Sequence, residues 1–265
     1  MKEDLSHYNA PDTELRKLQL KMFDILVAVT DICDRHRLPY WISGGTLLGA
    51  KRHSGFIPWD DDIDIELLRG DYNKLLKILP KELPDDLYLQ TPGEKSYRLL
   101  FSKVRDKNST IVSDEEDMAR YEYKGIFIDI FPEERSYLWL KNAVDFFYGR
   151  AFRRIKRGRA LESLRYFYEY TVSLFLLPVG ILLKWMARGI CAITQPQNIL
   201  HSYGIGNTTN HRAGYMFPLS KIKFEGRMFS APKDVDLYLK TQYGDYMSIP
   251  KAENRPSHFT QVTYH

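Results

Sequence analysis

Cysteine is nearly missing: Cys33 and Cys191 are the only two in 265 residues. They lie far apart in apolar surroundings, which excludes a disulfide framework and a zinc site and fits buried thiols in a reducing compartment. Charge of one sign is scarce as well. A formal net charge of +4 gives no ground for nucleic acid as a partner. There is no internal repeat and no low-complexity tract. The opening MKEDLSHYNAPDTELRK lacks an apolar core, so no secretory signal peptide is expected and a cytoplasmic site of action is the default. The apolar run Tyr170–Leu183 holds 14 uncharged residues, interrupted by Pro178 and Gly180. That is short of the roughly 20 needed to span a bilayer.

Aromatic residues are plentiful, with 18 Tyr, 14 Phe and 4 Trp, which suits either an aromatic core or sites that stack on organic groups. Leu15, Leu18, Met22, Ile25, Leu26, Val29 and Ile32 recur at helical spacing and predict a helix over 12–37, capped by Asp12 or Thr13. Tyr40–Ile42 reads as a short strand running into Ser43–Thr46 and a helix over Leu47–Arg52. An acidic strand follows, then a helix over Asp71–Leu79, a loop at Pro80 and Pro84, and strands over Arg98–Val104 and Gly125–Phe131. Short strands mixed with helices predict an α+β (mixed α/β) fold. Three segments are expected: a core over 1–135, a helical basic and apolar insertion over 136–200, and a segment over 201–265 that completes the core, with a helix near Val235–Tyr243.

The stretch IPWDDDIDIELL, Ile57–Leu68, places Asp60, Asp61, Asp62 and Asp64 among apolar residues. If Trp59–Ile65 is extended, Asp60, Asp62 and Asp64 share one face while Ile63 and Ile65 face the core, and Asp61 points away. Buried carboxylates this close cannot all stay ionised without a compensating charge. A divalent cation resolves the conflict, and an all-oxygen site favours Mg²⁺ or Mn²⁺. The bland alternative is a solvated acidic edge strand. Ile126–Phe131 reads as a strand apolar on both faces, hence central in its sheet, with Asp129 in its middle. That carboxylate either shares the metal site or pairs with an arginine or a backbone group. Paired Gly44 and Gly45, followed by Thr46 at a helix start, let backbone N–H groups approach a phosphate, with Lys51 and Arg52 a turn or two on.

The motifs WISGGTLLGAKRHSGFIPWDDDIDIELLRGDY and GIFIDIFP resemble the LicD family, which is related to fukutin-type enzymes and to the nucleotidyltransferase (polymerase-β-like) fold. Weaker echoes follow in FPLSKIKFEGRMFSAP and YGDYMSIP. The resemblance implies metal-dependent transfer of a phospho-alcohol, such as phosphocholine, from a CDP-activated donor to a hydroxyl of a cell-surface glycan such as lipopolysaccharide or teichoic acid, releasing CMP. By residue, Asp62 and Asp64 match the metal pair, Asp60 a further acid and Asp129 the later acid. Gly44, Gly45 and Thr46 match the donor-phosphate loop, and Arg69, Asp71 and Tyr72 an R-x-DY stretch. Asp129 is also in place to take the proton of the acceptor hydroxyl. Lys103 and Arg105, alternating on one strand, could hold donor phosphates or simply face solvent. Arg52 and His53 are further donor contacts, His53 with the alternative of an exposed turn residue. Tyr97, Tyr121, Tyr123 and Trp59 are available to cage a quaternary ammonium.

Two other functions fit the same residues. One is transfer of a nucleotidyl group from an NTP with loss of pyrophosphate; the other is a glycan- or lipid-binding module with a structural cation. Between Arg150 and Arg165 stand seven basic residues against one acid, Glu162, and the charge-free run follows directly. Together, 150–193 reads either as a helical hairpin broken at Pro178 and Gly180 that docks on the inner face of the membrane near a lipid-linked acceptor, or as a buried helical pair.

Overall fold

In this computed structural model the described residues are 5, 7–8, 10–94, 97–112, 121–157, 163–206, 208–255 and 261–265, with no side chain described for 156, 157 and 254. Arg159 and Glu162 of the basic stretch thus lie outside them. In chain order the elements are α1 (Glu14–Arg35), β1 (Trp41–Ile42), α2 (Gly44–His53), β2 (Asp64–Leu68), α3 (Arg69–Glu82), β3 (Leu87–Gln90), β4 (Ser102–Asp106), β5 (Ser109–Val112) and β6 (Phe127–Arg135). There follow α4 (Leu138–Val144), a π-helical turn (Asp145–Gly149), α5 (Arg150–Arg157), α6 (Leu164–Thr194), β7 (Asn198–His201), β8 (His211–Arg212), α7 (Ala213–Met216), β9 (Ser220–Phe224), β10 (Arg227–Ala231), α8 (Val235–Tyr243) and β11 (Gln261–Tyr264).

The chain forms two compact units: residues 1–90, 102–131 and 215–265 in the first, 91–101 and 132–214 in the second. The expected core over 1–135 therefore gives up two short pieces to the helical unit, and the C-terminal segment divides at 214.

In the first unit the sheet order is β1-β2-β6-β4-β3. β6 is central, as its apolar character on both faces requires; Ile126, Ile128 and Ile130 are fully buried. β4 runs antiparallel to it with Lys103 opposite Asp129 and Val104 opposite Ile128. Trp41 lies opposite Glu66 across β1 and β2, and its indole N–H donates to the Glu66 carboxylate at 2.6 Å. α1 is capped by Thr13, whose hydroxyl accepts from the Arg16 amide, and buries Met22, Ile25, Leu26 and Val29. Phe23 meets Phe224 and Phe229 of the β9–β10 hairpin.

Several boundaries move. α2 begins at Gly44, so the paired glycines form its first turn. The acidic stretch is irregular from Asp60 to Ile63 and becomes a strand only at Asp64. α3 runs on to Glu82 with Pro80 inside its last turn, so the proline does not stop the helix. The strand expected over 98–104 lies at 102–106.

The second unit corrects the expected hairpin. α6 continues through Pro178 as one helix of 31 residues, so the chain does not turn at Pro178 and Gly180. The helix over 138–157 instead packs along α6, with Leu140 and Val144 meeting Ala187 and Cys191. Gly180 is the close-approach point. A Cβ there would stand 2.5 Å from the Tyr148 backbone nitrogen, so the glycine serves packing rather than a break. A small antiparallel sheet of Glu133–Arg135, β7 and β8 completes this unit.

Two substitutions in α6 separate these roles. Gly180→Ala is expected to destabilise by about 1–3 kcal/mol through overpacking, although alanine is the better helix former. Gly189→Ala, with nothing within 4 Å of the new carbon, should stabilise by about 0.5–1 kcal/mol. Thermal melts of both variants against the parent protein check the signs.

Candidate active site

A cleft of about 430 Å³ in the first unit is lined by the start of α2 (Gly44, Gly45, Leu48, Arg52), the acidic loop (Ile57, Trp59, Asp60, Asp62, Asp64) and the C-terminal segment (Gln242, Tyr243, Asp245, Tyr246, Ser248, Pro250). Its size is that of a small-molecule site.

The carboxylates are positioned from three directions. Fully buried Gln19 of α1 donates to the Asp60 backbone carbonyl at 2.9 Å and pins the irregular loop. The Asp64 amide donates to the Thr46 hydroxyl at 2.9 Å, and the Ser43 amide to the Asp64 carbonyl at 3.2 Å. The glycines then admit the acids. Gly44 has a φ of +53°, and a Cβ there would lie 2.8 Å from an Asp64 carboxylate oxygen; a Cβ on Gly45 would lie 2.8 Å from Asp60 and 3.6 Å from Asp62. Any larger residue would push against the cluster. The glycines thus serve the carboxylates directly, and Thr46 is a brace for Asp64 that does not line the cleft.

Electrostatically the cluster is in conflict. Burial, the Asp62 and Asp61 charges and a hydrogen bond to Asp62 hold the Asp60 carboxyl well above the usual range, with Arg52 pulling the other way. Burial and the charges of Asp62, Asp129, Glu66 and Asp60 do the same to Asp64. Arg52 is the one basic residue lining the cleft among the described residues. Its guanidinium is already committed to the carbonyls of Tyr246 and Ser248, at 3.1 and 3.2 Å, and partial burial lowers its pKa. Clustered carboxylate oxygens short of positive charge are the donor set of a hard divalent cation, and Asp60, Asp62 and Asp64 could hold one.

Asp129 stands apart from the cleft lining. Its carboxylate accepts from Lys103 at 2.7 Å, and its amide donates to the Ile63 carbonyl at 2.8 Å. The expected metal and proton-accepting residue therefore sits behind the acidic loop, paired to a lysine. Lys103 and Arg105 do not face solvent: they are 4% and 0% exposed. Arg105 donates to Gln90 and to the Gly125 carbonyl and is not among the residues that line the cleft. Burial lowers the His53 pKa, with Arg52 adding to the effect, and His53 is not among the lining residues. Tyr72 of the R-x-DY stretch bonds Ser102 at 2.6 Å and so braces β4.

The expected aromatic cage is not assembled. Tyr97 belongs to the second unit, Tyr121 packs by Arg105 and Tyr123 against Tyr88. Trp59 alone of the four lines the cleft, with the Arg255 guanidinium 4.5 Å from its ring centre. Tyr243 and Tyr246 join it from the C-terminal segment. Burial and the nearby carboxylates Asp64, Asp62 and Asp60 raise the Tyr243 pKa, so its phenol stays protonated as a donor. The Tyr246 hydroxyl instead bonds Asp236, which Lys51 pairs at 2.8 Å. No periodicity or charge pattern marks these residues; the one signal in the sequence is the echo YGDYMSIP.

The cluster predicts a measurable penalty. In the presence of chelator, Asp60→Asn removes a buried like-charge contact and should raise the melting temperature by about 2–4 °C, equivalent to about 1 kcal/mol. The same variant should gain less than the parent from added Mg²⁺ or Mn²⁺. An unchanged or lowered melting temperature in chelator would contradict the electrostatic reading.

Against known proteins, the model of the LicD/FKTN/FKRP nucleotidyltransferase-domain family matches residues 37–156. The lipopolysaccharide cholinephosphotransferase LicD of Haemophilus influenzae is 28% identical over 94% of this chain and 97% of its own length. An uncharacterized protein of Rickettsia prowazekii is 32% identical over 46% of this chain and 44% of its own. The human ribitol 5-phosphate transferase FKRP is 42% identical over 43 residues, 16% of this chain and 9% of that protein. The matched region takes in the α2 glycines, the acidic loop and Asp129, the same features that build the carboxylate cluster. Over residues 37–156 the chain matches the LicD/FKTN/FKRP nucleotidyltransferase-domain model, and it is similar to LicD of Haemophilus influenzae over nearly its whole length.

Proposed function

We propose that this protein is a phosphotransferase that moves a phospho-alcohol from a CDP-activated donor to a hydroxyl of a glycan, with CMP as the other product. The observation that carries the reading is the half-buried cluster of Asp60, Asp62 and Asp64 against the first turn of α2, in a cleft sized for a nucleotide-linked donor. The names of the relatives support it, since both a cholinephosphotransferase and a ribitol 5-phosphate transferase move phospho-alcohols. A nucleotidyltransferase fold is part of the same reading and agrees with the central β6 and the helix that precedes the acidic loop.

Asp60, Asp62 and Asp64 are the residues that would hold Mg²⁺ or Mn²⁺. When bound, such an ion neutralises the donor's phosphate oxygens and the charge that develops during transfer. The protein's own groups do the rest. Backbone N–H groups at the start of α2 point along a favourable dipole toward a donor phosphate. Arg52, held by two carbonyls, adds a fixed positive charge on that side. The acceptor oxygen bonds to the donor's alcohol-bearing phosphorus as the bond to the CMP oxygen breaks. The hydroxyl proton passes to a carboxylate in the cleft. Asp129, tied to Lys103 and outside the lining, serves in this reading as a positioning charge behind Asp64. Trp59 and Tyr243 offer aromatic surface and Asp245 a negative charge, a combination that suits choline better than a polyol.

Donor identity is tested by thermal shift with CDP-choline, CDP-ribitol and CDP-glycerol in Mg²⁺, because a ligand of the native state raises its apparent stability. The expected result is the largest shift with CDP-choline and release of CMP on adding an acceptor glycan. Nucleotide attached covalently to the acceptor would replace this reading with nucleotidyl transfer. Asp62→Ala should lower turnover by at least ~100-fold with the fold intact. Asp129→Asn should cost less, about 10–100-fold, as for residues that orient a ligand from behind.

A further inference from the structure

We propose that the outer face of α6 binds the surface of an anionic phospholipid bilayer, lying in the boundary between headgroups and acyl chains, with Arg150, Arg153 and Arg165 meeting the headgroups. The inference rests on the second unit alone and is independent of the transferase reading.

α6 is the one helix among the described residues that is long and apolar enough to cross a membrane by length and composition, with a mean hydropathy of 1.6 over 18 residues of which 17% are buried. The buried positions, Ser173, Gly180, Ala187 and Cys191, are small and fall on one stripe at heptad spacing, where the helix over 138–157 packs. On the opposite face Phe175, Leu182, Trp185 and Ile193 are 75%, 61%, 62% and 85% exposed. That face carries no charged residue from Leu164 to Ile193.

Apart from Arg165, which stays 84% exposed while pairing with Glu169, the charged residues of α6 engage groups of the unit itself. Glu169 pairs with Arg154 and Arg165, the Lys184 ammonium lies 3.9 Å from the Tyr148 ring centre, and Arg188 pairs with Glu134 at 2.5 Å. A contiguous run of large exposed apolar side chains of this kind marks a contact surface rather than ordinary soluble surface.

Charge chooses the occupant. Arg150 and Arg153 are exposed on α5, and Arg165 is 84% exposed at the start of α6. An apolar helix face in a unit that also exposes arginines on α5 and at the start of α6 is complementary to acyl chains below anionic headgroups. The orientation follows from length and from the partner helix. At 1.5 Å per residue α6 is about 46 Å long, against about 30 Å of hydrocarbon. A span would also carry the Arg188–Glu134 pair and the arginines of α5 into the bilayer interior.

The test is flotation of the full chain with vesicles of phosphatidylcholine alone and of phosphatidylcholine with phosphatidylglycerol. The parent protein is expected to float with the anionic vesicles. The double variant Phe175→Glu, Leu182→Glu, altered only at exposed positions, should bind at least tenfold less with an unchanged melting temperature. Arg150→Gln with Arg165→Gln should remove the preference for anionic lipid. Cysteines placed at the two ends of α6, Ser163→Cys and Gln195→Cys, should both react with an impermeant maleimide added outside sealed vesicles. The proposal is overturned by a parent protein that floats with neither vesicle, by a double variant that floats as well as the parent, or by a dimer in detergent-free solution that the double variant dissociates without any vesicle binding. Labelling at only one end of α6 would overturn the in-plane orientation.

Discussion

Three half-buried carboxylates crowded together at the cleft are the constraint around which the first unit is organised. Asp60, Asp62 and Asp64 repel one another, and burial sharpens that repulsion. Everything adjacent either makes room for them or holds them in place. Gly44 and Gly45 have no Cβ because Asp64 and Asp60 occupy the space one would need. Thr46, Gln19 and Ser43 bind the backbone of the acidic loop rather than its side chains, and the three carboxylates line the cleft. Such a site costs stability in exchange for a concentrated negative charge, a trade common at functional sites.

Behind the cleft, a second layer of charge is balanced within the core. Lys103 and Asp129 face each other across adjacent strands, and Arg105 is shared among Gln90, the Gly125 carbonyl and the Phe127 ring. Both cations have partners within the core. They fix the strand from which Asp129 raises the Asp64 pKa. Among the described residues, Arg52 is the basic side chain that lines the cleft, so positive charge there is sparse beside three carboxylates.

Much of this was legible in the sequence, and the misses have physical causes. Alternation around Asp62 and Asp64 and the all-apolar frame of Asp129 disclosed buried acids and a central strand, because burial leaves its mark on neighbouring residues. Alternation could not disclose that Asp60–Ile63 is irregular: a loop pinned by Gln19, some forty residues earlier, can present the same three acids as a strand would. Strand alternation likewise suggested that Lys103 and Arg105 share a face but not that the face is interior, since their partners Gln90 and Gly125 are distant in sequence. The cleft wall from Gln242 to Pro250 is polar, aperiodic and more than 170 residues from the acids, so only its likeness to a family segment marked it. Pro178 and Gly180 read as a break because they usually are one; tight packing of Gly180 on Tyr148 keeps the helix whole.

The central claim, that Asp60, Asp62 and Asp64 form one divalent-cation site, is tested most directly by titrating the protein with Mn²⁺ and following free ion by electron paramagnetic resonance. The account predicts saturable binding that Mg²⁺ displaces, that Asp62→Asn abolishes and that Lys103→Met leaves in place. Absence of saturable binding, or equal binding by Asp62→Asn, would contradict it.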